Sequence, residues 1–333
     1  MSAPRGIGTT PEIDGRTLDL VVCPRDRLDL TLRGDSLVCE RGHEYAVLGG
    51  IPILLVSEST PTHVEATRAL EAAQARELPQ YGATPTGLAV DPWVNEVIAA
   101  TNGSLYLPVL GKLKEYPIPA IRLPRGDGKL FLEIGSNWGR WCIAAAQAGY
   151  RPMGIDPSLK GVLAARRVTQ QLGIDASFAV ADGRYLPFRD GSFDQVFSYS
   201  VLQHLSKEDV REILADVRRV LRPAGRSMIQ MASMFGIRCL YHQARRGFRE
   251  THGFEVRYWS PGELKATFER LIGPTELSID GFFSLDPQFS DMRFFPARYK
   301  AIVYASEILR SLGKAIPALK LIADSLYLES VRQ

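Results

Sequence analysis

Cysteine is scarce: Cys23, Cys39, Cys142 and Cys239 are the only four in 333 residues, too few and too scattered for a disulfide scaffold. Such usage suits a reducing compartment, so the cytoplasm is the expected location. Long apolar runs are missing as well. Nothing approaches the roughly 20 residues that cross a bilayer, and residues 1–14 lack the apolar core of a secretion signal. Charge of one sign is also in short supply. A formal net charge of +3 offers no general argument for nucleic-acid binding. No internal repeat or low-complexity tract is evident, so a solenoid is not supported. What remains, 45% hydrophobic and 23% charged, is an ordinary globular composition with room for one sizeable core and a smaller unit.

Four regions follow along the chain. Residues 1–58 contain short apolar runs broken by turn residues (LDLVVC, LDLTLRG, SLVC, EYAVLGG, IPILLV), which reads as a small β-module. Residues 59–115 shift to Ala, Glu, Arg and Gln at helical spacing, a helical connector. From 116 to 285, strands and helices alternate: LFLEIGS, a helix near Arg140–Ala148, PMGID, a helix near Leu159–Leu172, SFAVAD, DQVFSYS, a helix near Glu208–Leu221 and SMIQMA. That alternation predicts an α/β fold with a parallel sheet covered by helices on both faces. Residues 286–333 form a helical extension. In it Tyr304, Ile308 and Leu312 stand four apart and are expected to pack on the domain, with peripheral membrane contact as the competing reading.

The segment Leu130–Gly139 is an apolar strand that runs into a glycine-containing turn and opens a helix. Glycine permits positive φ and close backbone approach, and a helix N-terminus presents free N–H groups, so a nucleotide-like ligand belongs here. A dinucleotide fingerprint needs a third glycine, and Arg140 stands in its place. A nicotinamide or flavin site is therefore disfavoured.

The acidic residue and alternating glycines, Glu133, Gly135 and Gly139 with Asn137 at the middle glycine, resemble the first motif of class I S-adenosylmethionine-dependent methyltransferases. Asparagine tolerates the left-handed conformation the turn needs. Three further segments extend the resemblance over about 100 residues: Gly154-Ile155-Asp156, Ala181-Asp182-Gly183, and the run Phe193–Leu205, followed by Arg219-Val220-Leu221-Arg222-Pro223-Ala224-Gly225. The chain is most similar to the small-molecule branch labelled methyltransferase type 11. The resemblance implies a Rossmann-like fold and an S-adenosylmethionine site made of Glu133, Gly135, Asn137, Trp138, Gly139, Asp156, Asp182, Gly183 and Ser198. In it Asp156 would accept from both ribose hydroxyls and Asp182 would meet the adenine amino group.

Methyl transfer from a sulfonium needs alignment above all, and a base only where the acceptor is a hydroxyl. His204, after the fourth strand of the domain, is the candidate base, ahead of His242 and His252. Tyr199 and Tyr241 are candidates to orient an acceptor. The stretch 231–258 holds five arginines and two glutamates among apolar residues and reads as an acceptor lid. There Arg245 and Arg246, with Arg249, could grip an anionic acceptor such as a nucleotide-linked or lipid-linked sugar. Ser260-Pro261-Gly262-Glu263 reads as a capping box opening the next helix.

Cys23-Pro24 and Cys39-x-x-x-His43 resemble a zinc-ribbon-like module of the kind that activates tRNA methyltransferases or precedes rRNA methyltransferase domains. Asp26 occupies the position of the expected second cysteine, leaving Cys23, Asp26, Cys39 and His43 as the candidate zinc set. The favoured expectation is a metal-free module held by apolar packing. The expected function is methylation of a small-molecule or glycan-linked acceptor. RNA methylation and a non-catalytic cofactor-binding scaffold are the alternatives, and the oligomeric state is not legible.

Overall fold

The computed structural model describes residues 13–79, 90–283 and 288–333. The expected signal-free start at 1–12, the middle of the helical connector at 80–89 and the domain boundary at 284–287 lie outside the described residues.

Asp14 opens the described chain as a helix cap, its carboxylate accepting from the Thr17 amide at 2.9 Å. Gly15–Leu20 is therefore helix α1, where alternation alone suggested a strand from Leu18. Val21 and Val22 keep only isolated bridges, to Phe188 and Asp29. A meander follows: β1 (Leu30–Arg33), β2 (Ser36–Cys39), β3 (Glu44–Leu48) and β4 (Ile51–Leu54), each antiparallel to the next. The connector supplies α2 (Val64–Ala75) and α3 (Pro92–Thr101).

The alternating region is β5 (Leu130–Ile134), α4 (Arg140–Gln147), β6 (Arg151–Asp156), α5 (Leu159–Gln171), β7 (Ser177–Ala181), β8 (Phe193–Ser198), α6 (Lys207–Val220) and β9 (Leu221–Ala232). Then come α7 (Ile237–Arg245), α8 (Pro261–Leu271), β10 (Thr275–Gly281), α9 (Ala297–Leu312) and β11 (Ser325–Val331). One sheet gathers all the strands in the order β1-β2-β3-β4-β7-β6-β5-β8-β9-β11-β10. Strands β4 to β9 of that order run parallel, and β11 inserts antiparallel between β9 and β10.

Three expectations change here. The N-terminal β-module is continuous with the main sheet, since Ile53 and Leu54 pair with Val180 and Ala181. The C-terminal segment is helical only in part, because its last strand lies inside the sheet. Tyr304, Ile308 and Leu312 also stay exposed, while Val303 is the residue α9 buries. Their four-residue spacing marks one helix face but does not say which way that face turns. No helix among the described residues is long and apolar enough to cross a membrane.

Strand β5 divides the core by its pleat. Leu132 and Ile134 join the cluster that holds Val210, Ile213 and Leu214 of α6 and Phe268 of α8. Phe131 points the other way, among Trp141, Ala144, Ala145 and Phe197. From β5 the chain moves outward through β6 and β7 on one side, then returns to add β8 and β9 on the other. The strand order therefore reverses between β5 and β8, where open α/β sheets leave a crevice beyond the strand ends.

Candidate functional site

A cavity of about 590 Å³ opens at that switch point. Its floor is Ile134, Gly135 and Asn137 after β5, Asp156 and Ser158 after β6, Asp182 and Gly183 after β7, and Tyr199, Ser200 and Val201 after β8. His63, Glu65 and Arg68 of the connector, Trp93 and Val97 of α3, and Phe254 and Val256 beyond α7 close the remaining sides. Drug-sized ligands occupy pockets of about 300–1,000 Å³, so a nucleoside-sized cofactor is within range.

The turn after β5 is shaped for close approach. Gly135 has φ +83°, and a Cβ there would lie 2.3 Å from Val201 Cγ2. Asn137 adopts φ +43°, the left-handed conformation expected of it. Its amide donates to Asp156 Oδ2 at 3.0 Å, while the Ser158 amide donates to Oδ1 at 2.8 Å. Asp156 is thereby held at the cavity wall. Burial pushes its carboxyl up to about 6, against the two amide donors, with Glu65 adding to the rise.

Asp182 also lines the cavity, but Arg184 holds it: the Arg184 amide meets Oδ1 at 3.0 Å and its guanidinium meets Oδ2 at 2.7 Å. Its approach to an adenine is therefore shared with a cation. The side-chain oxygens Asn137 Oδ1 and Gln203 Oε1 are buried beside the cavity with no hydrogen-bond partner among the described residues. Unsatisfied buried acceptors are costly, and a ligand bearing hydroxyl or amine donors would relieve them. The acceptor set, the glycine turn and the cavity size together fit S-adenosylmethionine.

Four expected cofactor residues stand behind the wall. Glu133 is buried, and burial lifts its carboxyl to about 8 even though Cys142 offers hydrogen bonds that lower it. Trp138 is buried and donates Nε1–H to Asn102 Oδ1 at 3.2 Å, tying the domain to the connector. Gly139 caps α4, and Ser198 donates to the Ile134 carbonyl at 2.9 Å. These four shape the turn and do not line the cavity.

His204 does line it. Its Nδ1 donates to the Phe254 carbonyl at 2.8 Å, and burial holds its pKa below the usual histidine value. Tyr199 presents its ring, since its hydroxyl is taken by Asp280 Oδ2 at 2.9 Å and Gln288 Nε2 at 2.6 Å. The lid candidates sit elsewhere. Tyr241 is exposed, with the Arg245 guanidinium 5.8 Å from its ring centre. Arg246 donates to the Val256 carbonyl at 3.1 Å, and Arg249 pairs with Glu255 at 2.7 Å. Among the described residues, the cavity's own cationic side chains are Arg68 and Lys160. Ser260 caps α8 as expected, yet Glu263 turns away from the box to Lys207 Nζ at 2.6 Å.

The sequence reading passed over His63, Trp93, Gln203 and Phe254. His63 caps α2 by accepting the Glu65 amide at Nδ1. Its histidine-before-helix position was a signal for the cap, and only the fold brings it to the cavity. The four residues Cys23, Asp26, Cys39 and His43 do meet, outside the cavity lining, with their ligand atoms within 4.8 Å of one another.

Residues 131–225 match the family model described as a methyltransferase domain. An uncharacterized methyltransferase of Synechocystis sp. is 27% identical over 134 residues, covering 40% of this chain and 60% of the relative. The methyltransferase GfsG of Streptomyces halstedii is 30% identical over 113 residues, covering 32% of this chain and 39% of that one. The chain thus spans only 39–60% of the length of these two relatives. A solved complex between the Haloferax volcanii Trm112 methyltransferase activator and a putative methyltransferase aligns with a TM-score of 0.45 and 22% identity, over 63% of this chain and 85% of that chain. The matched segment is the one that builds the switch-point crevice, and it is similar to a methyltransferase domain.

Proposed function

We propose that this protein methylates a hydroxyl group of a small-molecule or glycan-linked acceptor, using S-adenosylmethionine bound in the 590 Å³ cavity. The observation that carries the reading is the convergence of Gly135, Asn137, Asp156 and His204 on that one cavity at the sheet's switch point. When bound, the cofactor supplies an activated methyl on a sulfonium whose leaving group is a neutral thioether.

The chain's own residues do the rest. Asp156 accepts from the ribose hydroxyls, and the Gly135 turn lets the cofactor lie against the backbone. Asn137 Oδ1 and Gln203 Oε1 take donors from the cofactor or acceptor. His204 keeps a proton on Nδ1, so Nε2 is the lone pair that can receive the acceptor's hydroxyl proton as the methyl is transferred. Trp93, Val97, Phe254 and Val256 offer apolar walls suited to an acceptor with a hydrophobic body, and they exclude water from the reacting atoms.

The test is calorimetric titration with S-adenosylhomocysteine, followed by screening of hydroxylated acceptors for thioether release. Saturable binding and turnover on an alcohol support the reading. Binding with turnover only on amines or thiols would remove the hydroxyl assignment. No binding by folded protein would remove the enzyme.

A further inference from the structure

We propose that Cys23, Asp26, Cys39 and His43 form a closed structural zinc site in which Asp26 is the fourth ligand. The four come from two short turns. In the first, the Arg27 amide donates to the Cys23 carbonyl at 2.8 Å and the Leu28 amide to Asp26 Oδ1 at 3.1 Å. In the second, between β2 and β3, the Gly42 amide donates to the Cys39 carbonyl at 2.9 Å and the Cys39 amide to the His43 carbonyl at 3.0 Å. Each turn fixes two ligands, and the two turns face each other.

Four of the six separations between the ligand atoms lie close to those of a coordination tetrahedron, and all six are within 4.8 Å. His43 Nδ1 is 3.4 Å from Cys23 Sγ, 3.4 Å from Cys39 Sγ and 3.1 Å from Asp26 Oδ2. Cys39 Sγ is 3.7 Å from Asp26 Oδ2. Zinc bonds of about 2.3 Å to sulfur and about 2.0 Å to nitrogen and oxygen put tetrahedral ligands roughly 3.3–3.8 Å apart. One imidazole nitrogen cannot hydrogen-bond two thiols and a carboxylate well at once, whereas a cation satisfies all four groups together.

The surroundings match. Leu28 N–H occupies Asp26 Oδ1, leaving Oδ2 for the centre. Tyr45 Oη lies 3.2 Å from Cys23 Sγ and accepts from Arg25 Nη1 at 2.6 Å, so its own proton is aimed at the sulfur, as an outer-shell donor to a thiolate would be. Two thiolates, an imidazole and a carboxylate in four-coordinate geometry select zinc over the harder divalent cations. With all four positions filled by protein, no place is left for a reacting water, and the role is structural. Both cysteines belong to the apolar cluster that also contains Leu54 and Ala181, at the junction of β4 with β7. The metal would tie the turn that precedes β1 to the turn between β2 and β3.

Metal content of the full-length protein, purified without chelators under reducing conditions, tests this. About one zinc per chain is expected, with loss in Cys39→Ser and Asp26→Ala and retention in Asp26→Cys. Replacement by Co²⁺ should give the intense visible bands of a tetrahedral centre and a sulfur-to-cobalt charge-transfer band. Wild-type protein that is folded yet holds no zinc and gives no Co²⁺ bands overturns the site, as does a Cys23–Cys39 disulfide in its place. An unchanged Co²⁺ spectrum in Asp26→Ala overturns the ligand assignment. If the variants fail to fold, the wild-type Co²⁺ titration decides alone.

Discussion

His204 and Phe254 lock one another at the cavity wall: the Nδ1–H of His204 donates to the Phe254 carbonyl at 2.8 Å, and the two rings stack with centroids 4.3 Å apart and planes 4° from parallel. A carbonyl only accepts, so the neutral ring carries its proton on Nδ1 and its lone pair on Nε2. Burial, with lesser contributions from the charges of Arg257 and His63, outweighs that hydrogen bond and depresses the pKa below 6.5. NMR of ¹⁵N-labelled histidine should show this tautomer and a titration midpoint below that of a free imidazole. With an alcohol acceptor, His204→Ala should lower kcat about 10²–10⁴-fold while leaving cofactor affinity nearly intact. The rate of the wild type should rise with pH through a midpoint below that of a free imidazole and level off above it, and the variant should lose that limb. An unchanged kcat would leave His204 as a wall of the pocket only.

Asp156 should govern cofactor affinity in a pH-dependent way. Its ionised form would accept the ribose donors, but burial raises its carboxyl to about 6 in the free protein. Affinity for S-adenosylhomocysteine should therefore climb as pH rises through about 6 and flatten above it, and binding near pH 6 should release protons to the buffer. Hydrogen bonds to a charged group are worth about 1.5–3 kcal/mol each, so Asp156→Ala should weaken binding at pH 7.5 by about 10²-fold or more. Calorimetry in buffers of differing ionisation enthalpy reads both effects. A flat profile would mean that the ribose is held elsewhere.

The sheet, its direction and most of the cavity floor were legible because the strand-helix alternation and the strand-end carboxylates are local features. Gly135, Asn137 and Asp156 lie where the motif order implies. The sequence could not reveal which motif residues face the ligand. Glu133 and Ser198 alternate to other sides of their strands, and Trp138 is drawn to Asn102, 36 positions earlier. Long-range partners hid the rest. Phe254 reaches His204 across 50 positions, and β11 joins the sheet only after α9, so a helical pattern at 297–312 concealed a strand at the chain's end. The pairing of Arg246 and Arg249 was hidden because their partners, the Val256 carbonyl and Glu255, become neighbours only when the loop turns back.

Glu133 should act on stability as a buried acid that stays protonated. Its carboxyl is raised from the usual carboxylate range to about 8, chiefly by burial. Between about pH 4.5 and 8 the unfolded chain has released this proton and the folded chain has not, so stability falls as pH rises, by up to about 1.4 kcal/mol per unit, and levels off above 8. Glu133→Gln keeps the neutral shape and should remove that slope, making the variant more stable than wild type at pH 8 and nearly equal at pH 4.5. Denaturant midpoints at several pH values measure it. A wild-type advantage at pH 8 would mean that the ionised carboxylate has a favourable partner.

Arg140 shows why a charged residue can stand where a third glycine would sit in a dinucleotide fold. Its guanidinium leaves the α4 surface for Asp291, with Nη2 3.1 and 3.2 Å from the two carboxylate oxygens, and both side chains are almost wholly buried. The Gln288 amide donates to the same carboxylate at 2.9 Å. The pair thus ties the segment preceding α9 to the first turn of α4, directly after the cofactor turn. Removing one partner leaves the other charge buried and alone, so Asp291→Ala should cost about 3–5 kcal/mol in guanidinium unfolding. Replacing both, as Arg140→Met with Asp291→Leu, should recover most of that loss, because a packed apolar pair avoids the desolvation of two ions. If the double variant were as unstable as Asp291→Ala, the tie would depend on the charges and their hydrogen bonds, and volume alone would not replace them.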